Sequence, residues 1–374
     1  LWMHAPSVGE GLQARPVLER VREKHPDILL AYTFFSPSAE QFAAALDVDF
    51  YDYLPFDSAH SVRTALSCLR PSALVFSKLD VWPVLVNEAA RRGVRLGLAS
   101  ATLAEVSGRR SKIASTLLRD AYASLDAVGA VGPDDAERLV QLGVRRSSIS
   151  VTGDTRYDQV WSRAITADLS NELLAPLASD RPTLVAGSTW PADEERLLPA
   201  WGRLLRTHPE ARLIIAPHEP TPDHLGTIER WAAERAPGGL RISRLGAAAA
   251  SSADVVLVDR LGVLGDLYGV ARVAYVGGGF HDAGLHSVLE PAAFGVPVIF
   301  GPVNRSSRDA RLMLDDGAGV TVSKAEEIEQ QIRLWLENDS ARQMAGNAAR
   351  DVVRRGLGAT EKTLSLVEAL VVGA

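Results

Sequence analysis

Glu10 closes the run His4-Ala5-Pro6-Ser7-Val8-Gly9-Glu10, where a short apolar strand gives way to a helix. A carboxylate at the carboxyl end of a strand can take a proton from a hydroxyl. The same Ser-x-x-Glu spacing is also a capping box, in which the Glu only satisfies a backbone N–H, and the residues alone favour that commoner role. A second group of chemically able residues lies in Tyr275 to Pro302, YVGGGFHDAGLHSVLEPAAFGVPVIFGP. A buried strand there stops on Gly277, Gly278 and Gly279. A loop with His281 and His286 follows, then a short helix expected from near Ser287 and carrying Glu290. Strand, glycine loop and helix start make an anion site when free N–H groups and the helix dipole converge, although a plain βα turn has the same sequence. Ser188 and Thr189, after the apolar run Thr183 to Ala186, offer hydroxyls to a phosphate or an N-cap to a helix. His218, after Arg212 to Ala216, is placed to meet a phosphate or a base, or simply solvent.

These residues all sit at the ends of apolar runs, so the elements around them decide whether they meet. Strands are expected at Trp2–Ala5, Ile28–Phe34, Ala73–Phe76, Val94–Ala99, Ala127–Val131 and Ile149–Thr152, with helices between them. Residues 155–180 carry no strand pattern. The alternation restarts at Thr183–Ala186 and continues through Arg212–Ala216, Leu240–Ser243, Val255–Val258, the stretch Tyr275–Pro302 and Gly319–Val322. Final helices cover Ala325 to Asn338 and Ser340 to Val371. Near-continuous apolar strands alternating with helices indicate a parallel sheet covered on both faces. Two such α/β halves give a GT-B architecture: two doubly wound, Rossmann-like domains facing across a cleft. The expected parts are an N-terminal domain at 1–158, a linker at 159–180 and a second domain at 181–355. A C-terminal helix at 356–374 packs back on the first domain.

Composition narrows the classes. With 47% hydrophobic and 23% charged residues, the 374-residue chain is an ordinary globular protein of two-domain size. A formal net charge of -6 argues against a general nucleic-acid binder. A single cysteine, Cys68, excludes a disulfide framework and a cysteine zinc site, and no Asp-x-Asp or His/Cys ligand spacing occurs, so neither metal nor cofactor is expected. No run of 18 or more apolar residues is present; because the chain opens on Leu1 rather than Met, a preceding segment, with or without a membrane anchor, is expected. Between Glu88 and Asp120 the basic residues Arg91, Arg92, Arg95, Arg109, Arg110, Lys112 and Arg119 outnumber the acids, which suits an anionic membrane surface or a solvated helix face.

Four ordered segments resemble the Kdo transferases, which move 3-deoxy-D-manno-octulosonic acid (Kdo) from CMP-Kdo onto lipid A precursors. They are HAPSVGE at 4–10, KLDVWP at 78–83, VTGDTRYD at 151–158, and Gly187-Ser188-Thr189 with LHSVLEPAAFGVPVIFGP at 285–302. The resemblance covers nearly the whole chain and is specific in combination. It departs where Lys78 and Asp80 stand for two glutamates, where Pro217-His218-Glu219-Pro220 lacks an arginine, and where His286-Ser287 replaces a His-Asn pair.

The resemblance implies an inverting, metal-independent glycosyltransferase with Glu10 as general base. Donor contacts fall to Ser188, Thr189, His218, Asp259, Gly262, Gly278, Gly279, His286, Ser287 and Glu290, with Glu290 on the ribose. Acceptor contacts fall to Ser7, Gly9, Lys78, Asp80, Arg109 and Arg110. The implied partners are CMP-Kdo and a lipid A precursor at the cytoplasmic face of the bacterial inner membrane, in lipopolysaccharide core synthesis. Two alternatives share the architecture: a non-hydrolysing UDP-sugar 2-epimerase, which HAPSVGE does not fit, and a non-catalytic nucleotide-sugar-binding module, in which Glu10 would be a cap only.

Overall fold

The computed structural model describes residues 1–103, 112–234, 240–282 and 284–371. The chain divides into two compact units, one of Leu1–Gln159 with Gly356–Ala374 and the other of Val160–Arg355. Unit 1 contains strands β1 (Trp2–His4), β2 (Ala31–Phe34), β3 (Phe50–Tyr53), β4 (Ala73–Ser77), β5 (Arg95–Ala101), β6 (Ala127–Ala130) and β7 (Ile149–Val151). They form one sheet in the order β3-β2-β1-β4-β5-β6-β7, and every pairing is parallel. All five residues of β4, ALVFS, are buried, as a strand covered on both faces requires. Side-chain alternation sends Trp2, Leu74 and Phe76 into one apolar layer, and Met3, Ala73 and Val75 into the other.

Unit 2 contains β8 (Thr183–Thr189), β9 (Arg212–Pro217), β10 (Ile242–Arg244), β11 (Val255–Leu257), β12 (Val273–Val276), β13 (Val298–Phe300) and β14 (Gly319–Thr321). Their order is β10-β11-β9-β8-β12-β13-β14, again all parallel. In each unit the strand order reverses beside the first strand, between β1 and β4 and between β8 and β12. Loops leaving the carboxyl ends of those strands diverge at that point, which opens a crevice for a ligand.

Several boundaries differ from the sequence expectation for identifiable reasons. The first helix begins at Val8 rather than Glu10, because Ser7 caps it by accepting the Gly9 N–H at 3.2 Å. The stretch Gly262–Tyr268 yields only a short helix, Leu264–Leu267, and a 3-10 turn, Tyr268–Val270. The helix expected from Ser287 is the five-residue Leu289–Ala293, whose N-cap is Val288 with no side-chain bond. Residues 159–180 begin inside the helix Arg156–Thr166, and Leu174 and Leu177 join the core of unit 2. The last helical run breaks into Asp339–Arg355 and Ala359–Val371. Gly358 between them has φ +90, and a Cβ on Gly356 would lie 2.1 Å from the Tyr157 ring.

The helix Ala359–Val371 buries Leu364, Val367 and Leu370 in the layer that holds Met3, Val17 and Val75. Its start is held by Asp158, whose carboxylate accepts the N–H groups of Gly358 (2.7 Å) and Thr360 (2.6 Å). Four residues earlier, buried Asp154 accepts from Arg156 Nη2 (2.7 Å) and Gln13 Nε2 (3.1 Å). Burial alone would raise the Asp154 pKa, but the Arg156 guanidinium and these hydrogen bonds hold it below the usual carboxylate range. The segment 151–158 is therefore a knot joining the first helix, the end of β7 and the last helix. Asp158→Ala should cost about 1–2 kcal/mol through loss of this double cap, read as a lower denaturant midpoint for unit 1 with Asp158→Asn intermediate.

Candidate functional site

In unit 1 the residues gather where β1 and β4 diverge. The Ser7 hydroxyl donates to one Glu10 carboxylate oxygen, and Lys78 Nζ lies 3.0 Å from the other. Glu10 therefore does not reach back to the N-cap backbone as a capping box would; its acceptors are taken by a hydroxyl and an ammonium. Burial pushes the Glu10 pKa up, but the Ser7 bond and the Lys78 charge outweigh it, and the group lies below its ordinary value. Lys78 adopts φ +63, a conformation that costs a side-chain-bearing residue about 1–2 kcal/mol and aims it across the strand end. Gly9 contributes its N–H to Ser7, and a Cβ there would meet only Ser7 Oγ at 3.7 Å, an ordinary contact.

Asp80 is held from two sides, by Trp82 Nε1 at 2.9 Å and His4 Nε2 at 3.2 Å. His4, fully buried, reaches Thr33 Oγ1 through Nδ1 at 3.1 Å, and Trp2 Nε1 donates to the same hydroxyl at 2.8 Å. A continuous polar chain thus runs beneath the strand ends, and the sequence reading did not include His4 or Thr33 in it. Trp82 is neither free nor merely packed: its N–H orients Asp80, and its ring lies 5.6 Å from exposed Phe35. Arg63, Arg91 and Arg92 all reach Glu88, so three guanidinium groups share one carboxylate, while Arg95 pairs with Asp126. Arg109 and Arg110 lie outside the described residues.

In unit 2 the centre is the divergence of β8 and β12. Asp193 ties the two strands together: its carboxylate accepts Trp190 N (2.9 Å), Gly278 N (2.8 Å) and the Tyr275 hydroxyl (3.0 Å). Burial raises its pKa, and those hydrogen bonds oppose the rise. The Gly278 N–H is thereby committed to Asp193 and is not offered to an anion. The glycines serve close approach instead. A Cβ on Gly277 would lie 2.1 Å from the Ser188 carbonyl oxygen, and one on Gly279 would lie 2.3 Å from Gly301 N. Thr189 is fully buried and donates to Glu194 at 2.7 Å, and Glu194 also accepts from His224 at 3.0 Å; that hydroxyl is engaged inside the fold. Ser188, in the left-handed region at φ 53, remains at the strand end.

Three imidazoles surround Trp190. His281 stacks on it at 4.1 Å, His218 at 4.7 Å, and His286 Nε2 accepts its indole N–H at 3.1 Å. Desolvation, with the neighbouring His218 and His281, pushes the His286 pKa down to about 4. Among the described residues no group of three or more His, Cys, Asp or Glu is arranged to hold a metal ion. Ser287 lies beside this cluster in sequence, outside the helix Leu289–Ala293.

Glu290 belongs to a different set. Burial lifts its pKa, Arg163 pulls it back and Asp266 adds to the rise. Arg163 itself donates to Asp266 Oδ1 at 2.7 Å and to the Gly262 carbonyl at 2.9 Å. Gly262 has φ +87 with open space beside it, so its turn needs glycine for backbone reasons. Asp259 pairs with Arg260 at 3.0 Å and Arg244 at 3.8 Å, beyond β11, and makes no described contact with the Trp190 cluster. Arg163, Asp266, Asp193 and Trp190 escaped the sequence reading. The first lies in a stretch with no motif, and Asp193 and Trp190 look there like ordinary helix-start residues.

Residues 1–159 match the family described as 3-Deoxy-D-manno-octulosonic-acid transferase (kdotransferase). The chain is 30% identical to the 3-deoxy-D-manno-octulosonic acid transferase of Bordetella pertussis over 98% of its own length and 86% of that protein. It is 31% identical to the Chlamydophila psittaci transferase over 86% of its length and 74% of that one. The chain belongs to the Kdo transferase family. It is accordingly a glycosyltransferase, and the epimerase alternative falls away as a function. As a fold the epimerase remains close: the UDP-GlcNAc 2-epimerase from Neisseria meningitidis superimposes with a TM-score of 0.70 at 14% identity, covering 98% of both chains. That likeness shows the GT-B fold and nothing about substrate.

The Lys78 pairing makes a pH prediction. Glu10 is depressed by its Ser7 hydrogen bond and by Lys78, so it stays ionised to lower pH than an ordinary glutamate. Lys78→Met leaves burial unopposed on that side, so the Glu10 pKa rises. The Glu10 carboxyl should then titrate at higher pH in Lys78→Met than in the unmodified protein, measured by ¹³C NMR of the labelled carboxylate.

Proposed function

We propose that this chain transfers Kdo from CMP-Kdo onto a lipid A precursor with inversion at the anomeric carbon, using Glu10 as the general base and no metal ion. The observation that carries the reading is the Glu10 site: an ionised carboxylate at the β1 switch point, oriented by Ser7 and adjoined by the Lys78 ammonium. A carboxylate so held can accept the proton of an acceptor hydroxyl as that oxygen attacks the sugar. Lys78 partly neutralises Glu10 at rest, and it lies near enough to hold a phosphate or the Kdo carboxylate of an acceptor. Asp80, hydrogen-bonded by Trp82 and His4, is the second polar wall.

On the donor side, the leaving group is a nucleoside monophosphate, so no diphosphate needs bridging by a cation. Ser188, His218 and His286, at the ends of β8 and β9 and after β12, are the residues proposed for that phosphate, and Glu290 with Arg163 is the pair proposed for the ribose. The amphipathic acceptor has its own support. Phe35, Tyr53 and Phe56 are exposed at the carboxyl edge of the unit 1 sheet, and Phe50 and Tyr51 are exposed on edge strand β3. Exposed aromatics at that edge suit acyl chains, and the guanidinium groups of Arg63, Arg91 and Arg92 around Glu88 suit phosphates at an anionic membrane surface. No helix among the described residues is long and apolar enough to cross a membrane.

Two measurements test the reading. Glu10→Gln should lower transfer from CMP-Kdo to a tetra-acylated lipid A precursor by about 10²–10⁴-fold while CMP affinity holds within a few-fold; retained transfer would remove Glu10 from the base role and leave Asp80 as the next candidate. Transfer in excess EDTA should equal transfer without it, and a loss restored by a divalent cation would contradict the metal-free step.

A further inference from the structure

Trp190 meets His286 edge to edge. Their ring planes are 15° apart, and the indole Nε1 lies 3.1 Å from the imidazole Nε2, the near-coplanar arrangement of an in-plane N–H···N bond. An indole nitrogen is only ever a donor. Nε2 of His286 must therefore be the acceptor, which leaves the ring's single proton on Nδ1. Among the described residues, Nδ1 has no acceptor. A proton added to Nε2 would point at the indole N–H, so the cation cannot form without breaking the bond.

The groups facing His286 support the same state. His218, from the end of β9, has its ring 4.4 Å away, and His281, from the loop after β12, covers Trp190. The acids of the adjoining helix are engaged elsewhere: Asp193 with Trp190 N, Gly278 N and Tyr275, and Glu194 with Thr189 and His224. No carboxylate among them touches the imidazole to favour its charge, in keeping with a pKa near 4.

We propose that Trp190 is a positioning residue of the nucleotide end, whose indole N–H locks His286 in the neutral Nδ1–H tautomer so that it presents one fixed N–H donor to an oxygen of the sugar nucleotide. This inference rests on the CMP-sugar reading of the same strand ends. It makes the His286 contact directional and insensitive to pH across the physiological range, where a free imidazole of ordinary pKa, about 6.5, would change charge.

The test is ¹⁵N NMR of histidine-labelled protein, with the His286 signal assigned by its loss in His286→Gln. In the unmodified protein, His286 should carry its proton on Nδ1 and show no titration down to about pH 5. Trp190→Phe keeps a ring for His281 and His218 to stack on but removes the N–H. There the imidazole loses the donor that fixed its tautomer, so His286 should gain Nε2–H character and bind CMP roughly two- to twelvefold more weakly at pH 7.5, the loss expected for one hydrogen bond. A proton found on Nε2 in the unmodified protein overturns the proposal, and that measurement does not depend on whether the variant folds. So does a Trp190→Phe protein with unchanged His286 tautomer and unchanged CMP affinity, which would make Trp190 a packing residue. If the unmodified protein binds no CMP, the donor reading fails instead, and the tautomer is still read from the free protein.

Discussion

A parallel sheet buried on both faces delivers every strand's carboxyl end to one edge, and the backbone groups and turns there must be satisfied from within the chain. In unit 2 one carboxylate meets part of that demand. Asp193 accepts two backbone N–H groups and one phenol, and so clamps the start of a helix after β8 to the glycine turn after β12. Because a buried carboxylate is costly unless its oxygens are filled, the clamp is geometrically strict. The glycines follow from it: with the two loops drawn together, backbone passes within van der Waals contact of backbone, and no Cβ fits at Gly277 or Gly279. Trp190, held at its N–H by the same carboxylate, is thereby aimed at the imidazoles.

Unit 1 solves the same problem with different residues. Ser7 and Lys78 surround Glu10, while His4, Thr33 and Trp82 surround Asp80, so the two acids at the β1–β4 divergence experience different partners. Glu10 has a hydroxyl and an ammonium beside it and is depressed; Asp80 accepts the Trp82 indole N–H and meets the His4 imidazole. Different environments give two neighbouring acids different work. Lys78, in place of the glutamate that relatives of this pattern were expected to carry, is what makes Glu10 an ion-paired group here. Segment 151–158, which looks like a site motif, spends its acids on architecture. Asp154 fastens the first helix and Asp158 caps the last.

The doubly wound class, the near-continuous apolar strands and the position of the candidate residues at strand ends were legible from the sequence, because a strand buried on both faces must be written in apolar residues and stopped by glycine or proline. Glu10, His218 and His286 were legible as able groups for the same reason, since each follows such a run. Their company was not. Thr189 was read as a phosphate donor, yet its hydroxyl points inward to Glu194; Gly278 was read as an N–H donor, yet Asp193 claims it. The short helix near Ser287 starts two residues later, because the turn before it is built from backbone contacts rather than a side-chain cap.

What the sequence determined by itself is local and periodic: element type, the order of strands and helices along the chain, and which residue types end each strand. Strand order in the sheet, the insertion of β11 between β9 and β10, and the return of Ala359–Val371 to the first unit belong to the tertiary structure, because each depends on contacts between residues far apart in the chain. So do the charge states. Glu10 is lowered by its Ser7 hydrogen bond and by a lysine 68 positions away, Glu290 is raised by burial against the pull of Arg163, and His286 is lowered by burial and by His218 and His281. A proton's free energy depends on distance in space and on exclusion of water, and neither quantity is written in sequence spacing.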